Sequence, residues 1–246
     1  MSAVLVIAGT DSSGGAGLTR DVATLTHFGT RALCAVTAVT AQTDAAVTSV
    51  VTLPAMLVRA QIEAAIATAR IGAIKIGMLG DAAIVAAVSA ALPPREAAPL
   101  VLDPVLGASS GGELLDAAGR AALRERLLPR TTLLTPNIGE AATLLQAPPA
   151  TDAEEIVAQG RALCALGPRA VLMKGGHAGG PLAVDWLVAG EGAVERFSAP
   201  RLSVARRGTG CTLASAIAAG FAAGLGLIAA CEQAKRHVTQ ILRQSA

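Results

Sequence analysis

Several short stretches of this 246-residue chain carry residue types that could handle a phosphoryl group. The densest is Gly208-Thr209-Gly210-Cys211-Thr212, directly before a long Ala-rich segment of helical period. Glycines let successive backbone N–H groups face one point, and a helix N-terminus adds positive potential there. Such a cradle suits the charge on a transferring phosphoryl group. Cys211, in the first turn, would feel the same field, which predicts a lowered thiol pKa. The bland alternative is a glycine-rich helix start with an inert buried Cys. A second cluster, Gly9-Thr10-Asp11-Ser12-Ser13-Gly14-Gly15-Ala16-Gly17, follows the first apolar run. No Gly-Lys-Ser/Thr occurs, and Arg20 and Leu213 take the sixth positions of G-x-G-x-x-G. A P-loop and a simple dinucleotide fingerprint are thereby disfavoured.

Carboxylates and one lysine complete the set. Asp103 stands between an apolar run and Pro104, where a buried carboxylate needs a cationic partner. Asn137-Ile138-Gly139-Glu140 has the spacing of a capping box. The same oxygens could hold hydrated Mg²⁺, which prefers carboxylate and water. Lys174, on an otherwise apolar run, must reach solvent or meet an anion. His27, His177 and His237 are scattered without metal-ligand spacing. Gly107-Ala108-Ser109-Ser110-Gly111 formally fits the G-x-S-x-G nucleophile elbow, with Asp185 and His237 in the required chain order. Asp103-Pro104 and Gly112 argue against the tight strand-to-helix turn that an elbow needs.

The elements that must position these residues alternate. Predicted strands are Val4–Ala8, Ala32–Val39, Ala73–Ile76, Leu100–Asp103, Thr132–Pro136 and Ala170–Lys174, with one hairpin of Ala183–Val188 and Ala193–Phe197. Predicted helices are Gly17–Phe28, Ala55–Ala69, Ala82–Leu92, Leu114–Leu127, Ile138–Leu145, Ala153–Leu166, Gly210–Ala223 and Leu227–Leu242. Wholly apolar strands imply burial on both faces, and the alternation implies one three-layer α/β/α domain over residues 1–246 with a mainly parallel sheet. In such sheets ligands gather beyond the C-terminal strand ends, where all these motifs fall.

Composition narrows the function further. Twenty basic residues against eighteen acidic ones, no basic block and 2% aromatic content exclude a dedicated nucleic-acid binder. The run Gly208–Cys231 lacks charge and is long enough to span a bilayer. Its Ala and Gly content and the break at Gly224-Leu-Gly226 instead predict two buried helices. The N-terminus shows no secretory pattern, and Cys34, Cys164, Cys211 and Cys231 form no C-x-x-C, so reduced thiols in the cytoplasm are expected.

Six motifs in register resemble one family. They are Ala8–Gly17, Lys75-Ile76-Gly77-Met78-Leu79, Leu102-Asp103-Pro104-Val105, Thr135-Pro136-Asn137 with Glu140-Ala141, Met173-Lys174-Gly175-Gly176-His177 and Gly208–Thr212. Together they look like the hydroxymethylpyrimidine/phosphomethylpyrimidine kinases of thiamin synthesis, within the ribokinase-like superfamily. The resemblance implies an enzyme dependent on ATP and Mg²⁺, often a homodimer, without nucleic-acid or membrane partners. It implies phosphorylation of 4-amino-5-hydroxymethyl-2-methylpyrimidine and then of its monophosphate; a pyridoxal kinase of the same fold is the neighbouring alternative. By position, Gln42 would bond the pyrimidine, with Gly9, Asp21, Met78 and Val105 lining its pocket. Cys211 would be the base beside Gly208 and Gly210. Asn137, Lys174 and Thr209 would bind nucleotide, and Asp103 and Glu140 the metal. Arg207 stands where the family usually has His, and Thr43-Asp44 where it commonly has Asn.

Overall fold

The computed structural model describes residues 2–107, 112–175, 180–190, 192–204 and 206–245. Along β1 (Ala3–Asp11), Leu5 and Ile7 join one core cluster while Val4, Val6 and Ala8 join another. Successive strand residues point to opposite faces, so an all-apolar strand needs cover on both. The remaining strands are β2 (Arg31–Gln42), β3 (Val47–Thr52), β4 (Ile71–Ile76), β5 (Leu100–Leu102), β6 (Leu133–Leu134), β7 (Ala170–Gly175), β8 (Leu182–Val188) and β9 (Val194–Pro200). They form one sheet in the order β3-β2-β1-β4-β5-β6-β7-β8-β9. Neighbours from β2 through β7 are parallel, and β3, β8 and β9 are added antiparallel at the two sides.

Helices α2 (Ala55–Thr68), α3 (Ala82–Ala91), α4 (Ala117–Arg126), α5 (Ile138–Leu145) and α6 (Ala153–Ala165) pack into the first cluster. Helices α1 (Gly17–His27), α7 (Thr209–Ala222) and α8 (Leu227–Arg243) cover the other face. Thr212 through Gly220 of α7 are all buried, which is why this segment is rich in Ala and other small residues. Small side chains let it lie close to the sheet and to both flanking helices. The uncharged run does divide at Gly224, whose φ is +88°. No helix among the described residues is long and apolar enough to cross a membrane.

The three-layer expectation holds, with local corrections. Besides the hairpin of β8 and β9, β7 with β8 and β2 with β3 also pair antiparallel. β3 escapes the sequence pattern because it is an edge strand with four of its residues exposed, so no apolar alternation marks it. Helix α4 starts at Ala117 rather than Leu114, since the Asp116 side chain caps it by accepting from Gly119 N–H. Strand order reverses about β1, whose neighbours are β2 and β4. A crevice is expected beyond the carboxyl ends of strands at such a switch point.

Candidate active site

That crevice is a cavity of about 1130 Å³. At its centre the β1–α1 loop meets the start of α7. Gly208 has φ +74°, and a Cβ there would lie 2.2 Å from the Gly15 carbonyl oxygen. Only glycine lets the two backbones approach this closely. No side chain caps α7. Its first N–H groups, on Thr209, Gly210 and Cys211, therefore belong to residues that line the cavity. Cys211 is half-buried, and the Gly17 backbone beside it favours the thiolate. Its titration corrects the sequence expectation. Burial pushes the thiol up to about 11, outweighing the neighbouring Lys75 charge.

Lys174 supplies the cationic end. Its Nζ lies 2.8 Å from Asp103 Oδ1 and 3.7 Å from Glu140 Oε2. The buried lysine thus meets anions rather than reaching for solvent. Burial opposes its charge, but the two carboxylates overcome that and raise its pKa. Asp103 also accepts from Thr135 Oγ1 at 3.3 Å, and its Oδ2 is turned toward Gly210. Asn137 and Glu140 do form a capping box. Asn137 Oδ1 accepts from the Glu140 N–H at 2.8 Å, and Glu140 Oε2 accepts from the Asn137 N–H at 2.7 Å. Capping and cavity lining coexist, because both residues also border the cavity. Burial pushes the Glu140 carboxyl up, against the pull of Lys174.

Gln42, Gly9, Met78 and Val105 line the other end. A Cβ at Gly9 would stand 2.9 Å from Met78 Sδ, so the glycine leaves room for the thioether. The Gln42 main chain is clasped by Ser12, whose hydroxyl accepts from its N–H and donates to its carbonyl, each at 2.8 Å. Thr40 Oγ1 lies 3.3 Å from Gln42 Oε1.

Asp21 is the exception among the expected site residues. It does not line the cavity and is fully buried. Its carboxylate accepts from Lys75 Nζ and Ser215 Oγ, both at 2.8 Å. Burial raises the Asp21 pKa, and Asp21 in turn holds Lys75 charged against its own burial. Lys75, rather than Asp21, borders the cavity. The sequence signal was a lone charge between Ile74 and Ile76 in β4. Sequence reasoning also missed the pair of Lys235 and Asp185, 2.7 Å apart on the cavity wall.

The Asp185–His237 pair that a nucleophile elbow would need is not formed. Ser109 and His177 lie outside the described residues. Asp185 is engaged by Lys235 and by the Gly175 N–H, while His237 packs on His27 with ring centroids 4.4 Å apart.

Comparisons with known proteins agree with this geometry. The profile of the family described as phosphomethylpyrimidine kinase matches residues 11–246. A hydroxymethylpyrimidine/phosphomethylpyrimidine kinase of Salmonella typhimurium is 46% identical over 216 residues, covering 87% of this chain and 81% of the relative. The enzyme of the same name from Synechococcus elongatus is 41% identical, covering 98% and 91%. Among solved structures, phosphomethylpyrimidine kinase from Clostridium difficile superposes with a TM-score of 0.86 at 34% identity, covering 98% of this chain and all of that one. A Staphylococcus aureus pyridoxal kinase bound to pyridoxal gives 0.88 at 27% identity, covering 99% and 88%.

Proposed function

The chain belongs to the phosphomethylpyrimidine kinase family, and from that premise we propose how its cavity transfers a phosphoryl group. It is an ATP-dependent kinase that phosphorylates 4-amino-5-hydroxymethyl-2-methylpyrimidine and its monophosphate in thiamin biosynthesis. One observation carries the assignment of roles. A cradle of helix N–H groups, a lysine held between two carboxylates and an amide-bearing pocket share one cavity.

In this reading the pyrimidine lies against Met78 and Val105, with Gly9 beneath it. The Gln42 amide, which can donate and accept, bonds the aminopyrimidine edge. That places the hydroxymethyl group toward Cys211. The N–H groups of Thr209, Gly210 and Cys211 hold the transferring phosphoryl oxygens, and the α7 dipole stabilises charge that develops there. Lys174 and Asn137 orient the nucleotide phosphates. Most of the rate enhancement is positioning and charge stabilisation, with base assistance from Cys211 adding about a hundred- to ten-thousand-fold.

Mg²⁺ fits the donors present. No group of three or more His, Cys, Asp or Glu among the described residues could cage a metal. Mg²⁺ ordinarily keeps water and substrate phosphates and takes only one or two carboxylates from the protein. Asp103, with its Oδ2 turned toward Gly210, and Glu140 supply those two. Held by these two residues, Mg²⁺ would supply neutralisation of the phosphate charge.

We further propose a single domain that works as a homodimer in the cytoplasm. Val39 and Val51, paired across β2 and β3, are 49% and 60% exposed, and Met56 at the start of α2 is 76% exposed. An apolar edge of this kind favours a partner surface. The four cysteines are free thiols, as a reducing compartment requires.

A coupled assay of ADP release with the pyrimidine alcohol, its monophosphate and pyridoxal tests the function. The two pyrimidines should turn over with the higher kcat/KM. A preference for pyridoxal would move the chain to the neighbouring activity, and turnover of none of the three would overturn the reading.

A further inference from the structure

Arg207 immediately precedes the α7 cradle, and its guanidinium reaches two separate segments, the β1–α1 loop and the end of β2. Nη2 donates to Asp11 Oδ2 at 2.9 Å. Nη1 lies 2.7 Å from the Thr43 carbonyl, 3.2 Å from Ser13 Oγ and 3.3 Å from Asp44 Oδ1. Asp11 is itself a hub: Oδ1 accepts from the Ser13 N–H and Oγ, and Oδ2 from the Ala16 N–H. The residues Arg207 grips flank a second clasp, because Ser12 lies between Asp11 and Ser13, and Gln42 precedes Thr43. Ser12 Oγ holds both the N–H and the carbonyl of Gln42. On the other side of Arg207, Gly208 packs on the Gly15 carbonyl.

We infer that Arg207 is a positioning residue for the acceptor substrate: it locks the β1–α1 loop and the end of β2 to the start of α7, and so fixes Gln42 relative to the phosphate cradle. The inference rests on the proposed role of Gln42. A planar guanidinium suits this task, since its rigid fork donates along several directions at once. The side chain is 15% exposed, and the Asp11 carboxylate 3%, so water competes little for their contact. With Nη2 on Asp11 and Nη1 shared among Thr43, Ser13 and Asp44, the guanidinium is engaged by the loops, and Arg207 acts through them.

Arg207→Gln and Arg207→Lys test this. Arg207→Gln should raise KM for the pyrimidine alcohol and its monophosphate alike, by on the order of ten- to a hundredfold, as expected for an ångström-scale misplacement of Gln42. KM for ATP should change by less than about threefold, well below one such displacement. Arg207→Lys, a point charge that cannot span all these acceptors, should recover only part of the loss. Full recovery by lysine would overturn the multi-contact clasp. A selective rise for the monophosphate or for ATP would instead make Arg207 a phosphate ligand, and unchanged constants would remove it from the site. Hydrogen exchange supplies a readout independent of turnover. Amides of Ser12–Gly17 and of Gln42–Asp44 should exchange faster together in both variants, and no change in either segment refutes the clasp. If the wild-type chain turns over neither pyrimidine while exchange rises as expected, the kinase reading fails and the clasp stands.

Discussion

Gly208→Ala isolates what the backbone contributes to catalysis. Its φ of +74° costs an L-residue about 1–2 kcal/mol. The added Cβ would also stand 2.2 Å from the Gly15 carbonyl oxygen. Close carbon–oxygen contacts settle near 3.3 Å, so the β1–α1 loop must retreat by about 1 Å. A displacement of that size between a cradle and its reacting atoms costs roughly a hundredfold in rate, or about 2.7 kcal/mol. Gly224→Ala is the matched control. Its φ is +88°, but a Cβ there meets nothing within 4 Å. Both variants should lose about 1–2 kcal/mol of stability, a fall in Tm of roughly 2–8 °C for a chain of this size. Only Gly208→Ala should also lose about a hundredfold in kcat/KM for ADP release. If Gly208→Ala keeps half of wild-type activity, the close approach is not a catalytic requirement. If Gly224→Ala loses as much activity as Gly208→Ala, general destabilisation explains both.

Other perturbations separate the roles of individual side chains. Cys211→Ala should cut turnover by at least about a hundredfold, with nucleotide affinity preserved. The wild-type thiol titrates near 11 and must lose its proton to act as a base, so log kcat/KM should climb about one unit per pH unit between pH 7 and 9. The alanine variant should lose that slope, and a flat wild-type profile would exclude the thiolate. Gln42→Ala should raise KM for the pyrimidine but not for ATP; equal effects would take Gln42 out of the pocket. Asp21→Asn leaves Lys75 buried without its anion and should destabilise by about 3–5 kcal/mol, whereas Asp21→Asn with Lys75→Met should recover much of that in denaturant titrations. Additive losses would refute the pairing. Val51→Glu should shift the species seen by light scattering from dimer to monomer, while an unchanged dimer would place the interface elsewhere.

The sequence was most informative where chemistry and backbone geometry share a short segment. Gly208–Thr212 declared the helix start, and Asn137 with Glu140 declared the cap. It was least informative where a partner lies far along the chain. Asp21 and Lys75 are 54 residues apart, and no spacing rule links them. The resemblance gave Asp21 to the substrate pocket by position, whereas in the fold it pairs with a lysine beneath the cavity. Cys211 failed for a related reason: the helix start that lowers a thiol pKa is visible in sequence, but the burial that outweighs it is not. β6 covers only Leu133–Leu134, the two residues that pair with both neighbours, whereas the predicted strand ran from Thr132 to Pro136.

The scarcity of aromatics fits a site organised by charge pairing and backbone rather than by stacking. No Tyr, Trp or Phe lines the cavity among the described residues. Its cations include four that are each held by a carboxylate: Lys75 by Asp21, Lys174 by Asp103, Arg207 by Asp11 and Lys235 by Asp185. An enclosed ammonium without an anion would tend to lose its proton. The carboxylate keeps Lys174 charged, so in its proposed role it would meet an incoming phosphate as a fixed cation, without proton uptake. The same partner competes with phosphate in the ground state, which limits how much binding energy Lys174 yields before reaction. As negative charge shifts onto the bridging oxygen in the transition state, the lysine's attraction to the phosphate strengthens, while its contact with Asp103 does not. A cation that is shared at rest thus contributes more to the transition state than to the bound substrate, which is the condition for catalysis.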